Sequence, residues 1–125
     1  MFSHIMVGIT DFERALAFYK PVLDALGIQF RFQDDTRPWA GWQSAPDPRP
    51  LFLIGRPHNQ QAHQPGNGQM VAFLAASRGQ VDAVHALALA NGGTCEGPPG
   101  PRGDGGFYAG YFRDPDGNKL NAFIM

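Results

Sequence analysis

The sequence predicts an α+β fold assembled from two copies of one strand-helix-strand unit, and three observations carry that expectation. The chain repeats itself faintly: sliding it by 66 positions lays His4 to Ile9 over Met70 to Ala75, Ala15 over Val81, Phe18 over Val84, Leu23 over Leu89 and Gly27 over Gly93. In each copy an apolar segment with strand character precedes a stretch of helical spacing that ends at glycine. A turn sequence, Asp114-Pro115-Asp116-Gly117, then separates two apolar runs near the C-terminus. A repeated unit usually cannot bury its apolar face alone and must pair with its twin.

Residues 2 to 9 read as a buried strand, with Ile5, Val7 and Ile9 on one side and Phe2, His4, Met6 and Gly8 on the other. A helix follows. Thr10 and Glu13 have capping-box spacing, and Ala15, Phe18, Tyr19, Val22, Leu23 and Leu26 recur at helical intervals until Gly27. Pro21 should kink or shorten this helix, because it removes a backbone donor. Residues 28 to 33 read as a strand, residues 34 to 50 are rich in Pro, Asp and Trp with a short strand at Gly41 to Ser44, and Leu51 to Gly55 is a short apolar strand. The polar run from Arg56 to Gly68 has the composition of a linker. It divides a first unit (1–55) from a second (69–125).

The second unit repeats the plan: a strand over Gln69 to Ala76, a helix over Gln80 to Asn91 ended by Gly92-Gly93, and a short strand at Thr94 to Glu96. Gly97 to Gly106 is too rich in Gly and Pro to suggest regular structure and reads as a loop. The closing hairpin joins Phe107–Phe112 to Lys119–Ile124 through a type I turn. That turn pairs Arg113 with Asn118, Gly110 with Asn121 and Tyr108 with Phe123, on one face with Phe112 and Lys119.

At 125 residues and 43% hydrophobic content the chain is long enough for a single domain with a real core. A net charge of -1 gives no electrostatic reason to expect nucleic acid or an anionic membrane as partner. No apolar run approaches membrane-spanning length and no signal-peptide pattern opens the chain, so a cytoplasmic protein is expected. The lone Cys95 has no partner for a disulfide and no paired spacing, which fits an inert thiol.

Two βαβββ units, a helix ending in FYKPVLDALG and a closing YFRDPDGNKLNAF together resemble the vicinal oxygen chelate superfamily of glyoxalase I, bleomycin-resistance proteins and extradiol dioxygenases. The resemblance covers nearly the whole chain, and DPDGN is its most specific piece. It implies an open, cup-shaped mixed sheet of about eight strands with helices outside, a ligand or metal within, and a homodimer. It also implies a metal site with one ligand from the first and last strand of each unit. His4 matches the first of these positions. Met70 stands where His is common, Asn121 where Glu is usual, and Leu53 at the fourth position, by an alignment that needs a gap.

A thioether, an alkyl group and a neutral amide supply neither the charge nor the donors that repay dehydration of a divalent cation. No cofactor is therefore expected. A divalent metal is the alternative, with His58, His63 or His85 swinging in, although His58 and His63 fall in the linker and His85 on a helix outside the cup. No second His, Cys or carboxylate is expected beside His4, so no catalytic residue is assigned.

The cup should be lined by Phe2, His4, Met6, Leu51, Leu53, Met70, Ala72, Leu74, Tyr108, Phe112, Asn121 and Phe123. Of these, His4, Met6, Leu53, Met70, Leu74, Tyr108, Phe112 and Asn121, together with Arg102, are the candidate ligand-binding residues. Such a wall suits a small apolar or aromatic organic molecule. Alternatively its side chains fill the cup as a second core. The segment Glu96 to Gly106 is either a lid whose Arg102 grips a carboxylate or phosphate, or a solvated connector. Trp39 and Trp42 either stack on a ligand or pack locally. Two functions follow: a glyoxalase/bleomycin-resistance-like protein binding a small molecule without the usual metal, or a metal-dependent lyase, isomerase or dioxygenase with an altered ligand set around His4.

Overall fold

A computed structural model describes residues 1–44 and 46–125. Its strands form two four-stranded sheets, each repeating the plan of the other. The first holds β1 (His4–Gly8), β2 (Gln29–Asp34), β3 (Trp39–Gln43) and β4 (Leu51–Gly55) in the order β1-β4-β3-β2. The second holds β5 (Val71–Leu74), β6 (Thr94–Arg102), β7 (Phe107–Arg113) and β8 (Lys119–Ile124) in the order β5-β8-β7-β6. β1 runs parallel to β4 and β5 to β8, and the remaining pairs are antiparallel. Each parallel pair needs a long crossover, supplied by α1 (Phe12–Ala25) and α2 (Arg78–Ala90) with the strands after them. Neither sheet closes on itself. Among the described residues no helix is long and apolar enough to cross a membrane.

The core lies on the helix side of both sheets and belongs to neither unit alone. From α1, Tyr19 packs on Trp42 and Phe52 of the first sheet, with ring centroids 6.2 and 5.4 Å apart. Its neighbour Phe18 reaches Phe112 of the second sheet at 6.3 Å. Phe52 and Phe73 meet edge-on at 5.1 Å, one from each sheet. Burying an aromatic or branched side chain this fully contributes roughly 1.5–3 kcal/mol, so the shared aromatic cluster is what pairs the repeats. The alternation read from β1 and β5 holds. Ile9, Phe73 and Ala75 are buried toward the helices, while His4, Met6, Ala72 and Leu74 are exposed on the opposite face.

Several local expectations are corrected. The N-cap of α1 is Asp11 rather than Thr10: its carboxylate accepts the Arg14 N–H at 3.0 Å. Thr10 is engaged elsewhere, accepting from the His63 main chain and donating to Asp116. Pro21 lies inside α1 without ending it. Ala17, four residues back, is exposed, so water can serve the carbonyl left without a donor.

The Gly/Pro-rich segment expected to be a loop is instead most of β6, which pairs with β7 through register shifts between Cys95 and Gly97 and between Gly97 and Gly100. β6 is an edge strand, where prolines need not donate to a neighbour. Pro98 and Pro99 fall in the second shift.

The closing hairpin is one residue out of the expected register. Asp114 N donates to Asn118 O and Gly117 N to Asp114 O, so the loop runs from Asp114 to Asn118 and Arg113 pairs with Lys119. Tyr111 therefore faces Asn121, and Ala109 faces Phe123. Since side chains alternate along a strand, this single step turns Tyr108, Gly110 and Phe112 toward the helices.

Candidate functional site

The face of each sheet turned away from the helices carries most of the candidate residues. On the first sheet His4 neighbours Leu51 and Met6 neighbours Leu53 in the parallel β1–β4 register. Leu51 and Leu53 are buried, yet they stand outside the helix-side core and form the floor of this face. Gly41 and Gly55 keep that floor open to packing. A Cβ on Gly41 would stand 2.3 Å from the Phe32 ring, and one on Gly55 would stand 2.9 Å from the Met6 methyl. His4 is exposed, and its Nδ1 lies 3.0 Å from the Ser3 hydroxyl.

Met6 and Met70, 49% and 45% exposed, line one cavity of about 210 Å³ together with Gln69, Asn118 and Lys119. This cavity sits between the edge strands of the two sheets. Leu74, 76% exposed, lines a separate cavity of about 370 Å³ that also meets Leu51, Phe52 and Val71. On the second sheet Asn121 is flanked by Ala72 and Tyr111 and is only 2% exposed, with no hydrogen-bond partner for its Oδ1.

Tyr108 and Phe112 do not join this face. Phe112 is fully buried among Phe18 and His85 on the helix side, and the Tyr108 hydroxyl donates to Asp82 of α2 at 2.6 Å. That hydrogen bond, then burial, raises the tyrosine pKa. The register step explains both corrections. The residues it brings to the open face, beside the expected Lys119, are Tyr111 and Phe107, whose ring lies 5.4 Å from that of Phe123. Leu120 and Ala122, both buried in the core, leave Lys119, Asn121 and Phe123 together on the opposite face as expected, and the pairing of Tyr111 with Asn121 adds Tyr111 to them.

Arg102 ends β6 rather than riding on a lid. Its guanidinium donates to the carbonyls of Pro98, Gly100 and Pro101 at 2.6, 3.0 and 3.3 Å and lies over the Tyr111 ring at 5.3 Å. The two tryptophans part company. Trp42 is buried against Tyr19, Phe30 and Phe52, whereas Trp39 meets Phe32 edge-on and is covered by Arg37.

The donors at the four positions implied for a metal are one imidazole, one thioether, one alkyl group and one amide, a set that does not fit a divalent cation. The other histidines do not complete it. His63 Nε2 is 2.7 Å from Asn118 Oδ1, His85 is buried under β7 on the helix side, and His58 lines a cavity beside Arg56 and Trp39. Among the described residues no three His, Cys, Asp or Glu side chains stand close enough to share an ion.

Comparison with known proteins agrees with this architecture. The family model of the Glyoxalase/Bleomycin resistance protein/Dioxygenase superfamily matches residues 1–122. A crystal structure of a glyoxalase/bleomycin resistance protein from Albidiferax ferrireducens T118 is 42% identical, covers 100% of this chain and 98% of its own, and superposes with a TM-score of 0.87. A glyoxalase-related enzyme from Fulvimarina pelagi is 22% identical over 100% of this chain and 88% of its own, with a TM-score of 0.77. A glyoxalase/bleomycin resistance protein/dioxygenase family enzyme from Burkholderia phytofirmans PsJN, 18% identical over 97% of this chain and 95% of its own, gives 0.71. No curated protein matches the sequence significantly. With the repeat, the paired open sheets and a match over nearly its full length, the chain belongs to the glyoxalase/bleomycin resistance protein/dioxygenase superfamily.

Proposed function

We propose that this protein binds a small, largely apolar or aromatic organic molecule on the open faces of its sheets, without the metal set of the metal-using members of its superfamily. The observation that carries the reading is the pair Met6 and Met70. Each stands on the open face near the start of its unit, and both line the same cavity. Thioethers are poor donors for hard cations but adaptable apolar contacts for a guest. The exposure of Met6, Met70, Leu74 and Phe107 in a single chain also supports assembly into a homodimer that covers part of these faces.

Thermal-shift screening against a library of apolar and aromatic compounds tests the reading, because a ligand selective for the native state raises the melting midpoint. At least one compound is expected to raise it in proportion to its concentration, and substituting Met6 or Met70 by Ala should weaken the effect. Elemental analysis of the purified protein is the counter-test. A stoichiometric divalent ion that is lost in His4→Ala would overturn the proposal in favour of a metal-dependent lyase, isomerase or dioxygenase. Sedimentation analysis checks the dimer.

A further inference from the structure

The open face of the second sheet carries charge that the apolar description omits. Lys119 Nζ lies 5.6 Å from the centroid of the Tyr111 ring, and the Arg102 guanidinium lies 5.3 Å from the same centroid. Two cations beside one ring leave that surface positively charged unless an anion joins them. Yet among the described residues neither has a carboxylate within salt-bridge distance, the ion pairs being Arg14–Asp116 and Arg113–Glu96. Glu96 is committed to Arg113, whose hydrogen bond and charge hold its carboxyl below the usual range, with a lesser pull from Lys119. This wall therefore has a surplus of positive charge on a chain whose net charge is -1.

Beside the ring, Asn121 faces Tyr111 across the β7–β8 ladder, 98% buried by its 2% exposure and with its Oδ1 unpartnered. A buried polar atom without a partner is destabilising, and half a turn of the side-chain amide would put an N–H in its place. Lys119 also lines both the cavity it shares with Met6 and Met70 and an adjoining one of about 530 Å³. Lys119 thus links the two cavities, and Met6 and Met70 with them, to the Tyr111 ring, its second cation Arg102 and the neighbouring Asn121 amide.

We propose that the wall formed by Lys119, Tyr111, Arg102 and Asn121 recognises the anionic group of a small organic acid, a carboxylate or a phosphate monoester, whose apolar body lies toward Met6 and Met70. This deepens the small-molecule reading above and rests on it. Lys119 supplies the charge with most freedom to move. Arg102, three of its donors held by carbonyls of its own strand, supplies a fixed one. Asn121 turns its amide to the ligand and gains the partner it lacks.

The test uses the intact protein and a charged and neutral pair of one shape, benzoate and benzamide, with phenyl phosphate as a third probe, titrated by NMR. Benzoate or phenyl phosphate is expected to bind about tenfold more tightly than benzamide, the range of one charge-assisted hydrogen bond. Shifts should centre on Lys119, Tyr111 and Asn121, and the preference should shrink as salt is added. Lys119→Gln should remove most of the preference, and Lys119→Arg, which keeps the charge, should retain it. Whichever of the two anions binds more tightly identifies the acid class. Equal binding of benzoate, phenyl phosphate and benzamide, or anion binding that Lys119→Gln leaves unchanged, overturns the inference while leaving the small-molecule reading in place. Failure of all three probes at millimolar concentration overturns it too. The library screen then decides separately whether the broader reading survives.

Discussion

The Tyr19 hydroxyl donates to Asp114 Oδ2 at 2.5 Å, joining the middle of α1 to the loop between β7 and β8 across the two repeats. Both groups are buried, and burial followed by the nearby Asp114 charge raises the phenol pKa well above its ordinary value, so the hydroxyl stays a donor. Asp114 also accepts the main-chain N–H groups of Asp116 and Asn118 and the Asn118 side chain. Asn118 in turn donates to Gly8 O, and Asp116 takes the Thr10 N–H and the Arg14 guanidinium. The DPDGN segment is thus less a turn than a clamp on the start of the first unit. Tyr19→Phe should lower stability by about 1–3 kcal/mol, since it leaves a buried carboxylate one donor short. Urea unfolding should show a lower midpoint with an unchanged slope.

Stability should also fall as pH drops through the ordinary histidine range, because of His85. This side chain is 7% exposed between α2 and β7, and its Nε2 has no partner. Burial lowers its pKa, partly offset by a hydrogen bond with the Tyr111 main chain and the charge of Asp82. With the folded pKa below the unfolded one, the unfolded chain binds the extra proton first. The contribution is therefore intact above about 6.5 and is lost as pH falls through that value toward the folded pKa. His85→Leu should flatten the stability profile between about pH 7 and pH 5.5, before most carboxylates titrate. Equal slopes for the two proteins in that window would refute the assignment.

What the sequence disclosed depended on how local the cause was. The faces of β1 and β5 were legible because alternation alone decides them, and Ile5, Val7 and Phe73 fall on the side expected. Gly27 and Gly92 were legible as helix stops because each adopts a positive φ, +73° and +99°. The cap of α1 was misread because Thr10 is claimed by His63 and Asp116, residues 53 and 106 positions away. The strand β6 was hidden because its prolines are tolerated only at a sheet edge, and edge position is not written in the segment itself. At the candidate site, His4, Met6 and Met70 were legible by alternation. Tyr111 was put on the wrong face because the loop, with Asp114 accepting from Asp116 and Asn118, is one residue longer than the turn the sequence suggests, whereas Lys119 lies on the face expected.

Glycines of one helix and its exit should respond in opposite directions. Gly93 has no room for a side chain: a Cβ there would stand 2.6 Å from Arg113 O and 2.7 Å from Ala88 O, both main-chain atoms. Gly93→Ala should cost about 1–3 kcal/mol, because neither carbonyl can step aside alone. Gly79, in the first turn of α2, has nothing closer than the Ser77 hydroxyl at 3.9 Å. Gly79→Ala should instead stabilise by about 0.4–1 kcal/mol through reduced freedom of the unfolded chain. Thermal melts of the two variants against the parent separate the cases.

The register of the closing hairpin makes the sharpest prediction about adjacent residues. Phe112 is fully buried against Phe18 and His85, so Phe112→Ala should remove about 3–5 kcal/mol and leave a cavity between α1 and β7. Tyr111 is half-buried on the opposite face with Arg102 and Lys119 as neighbours, so Tyr111→Ala should cost no more than about 1 kcal/mol. A four-residue type I turn would exchange the two faces and reverse this order. Denaturant unfolding of both variants under one condition decides it: a larger loss for Tyr111→Ala would mean that Arg113 pairs with Asn118 after all, and would take Lys119 and Asn121 away from the Tyr111 ring.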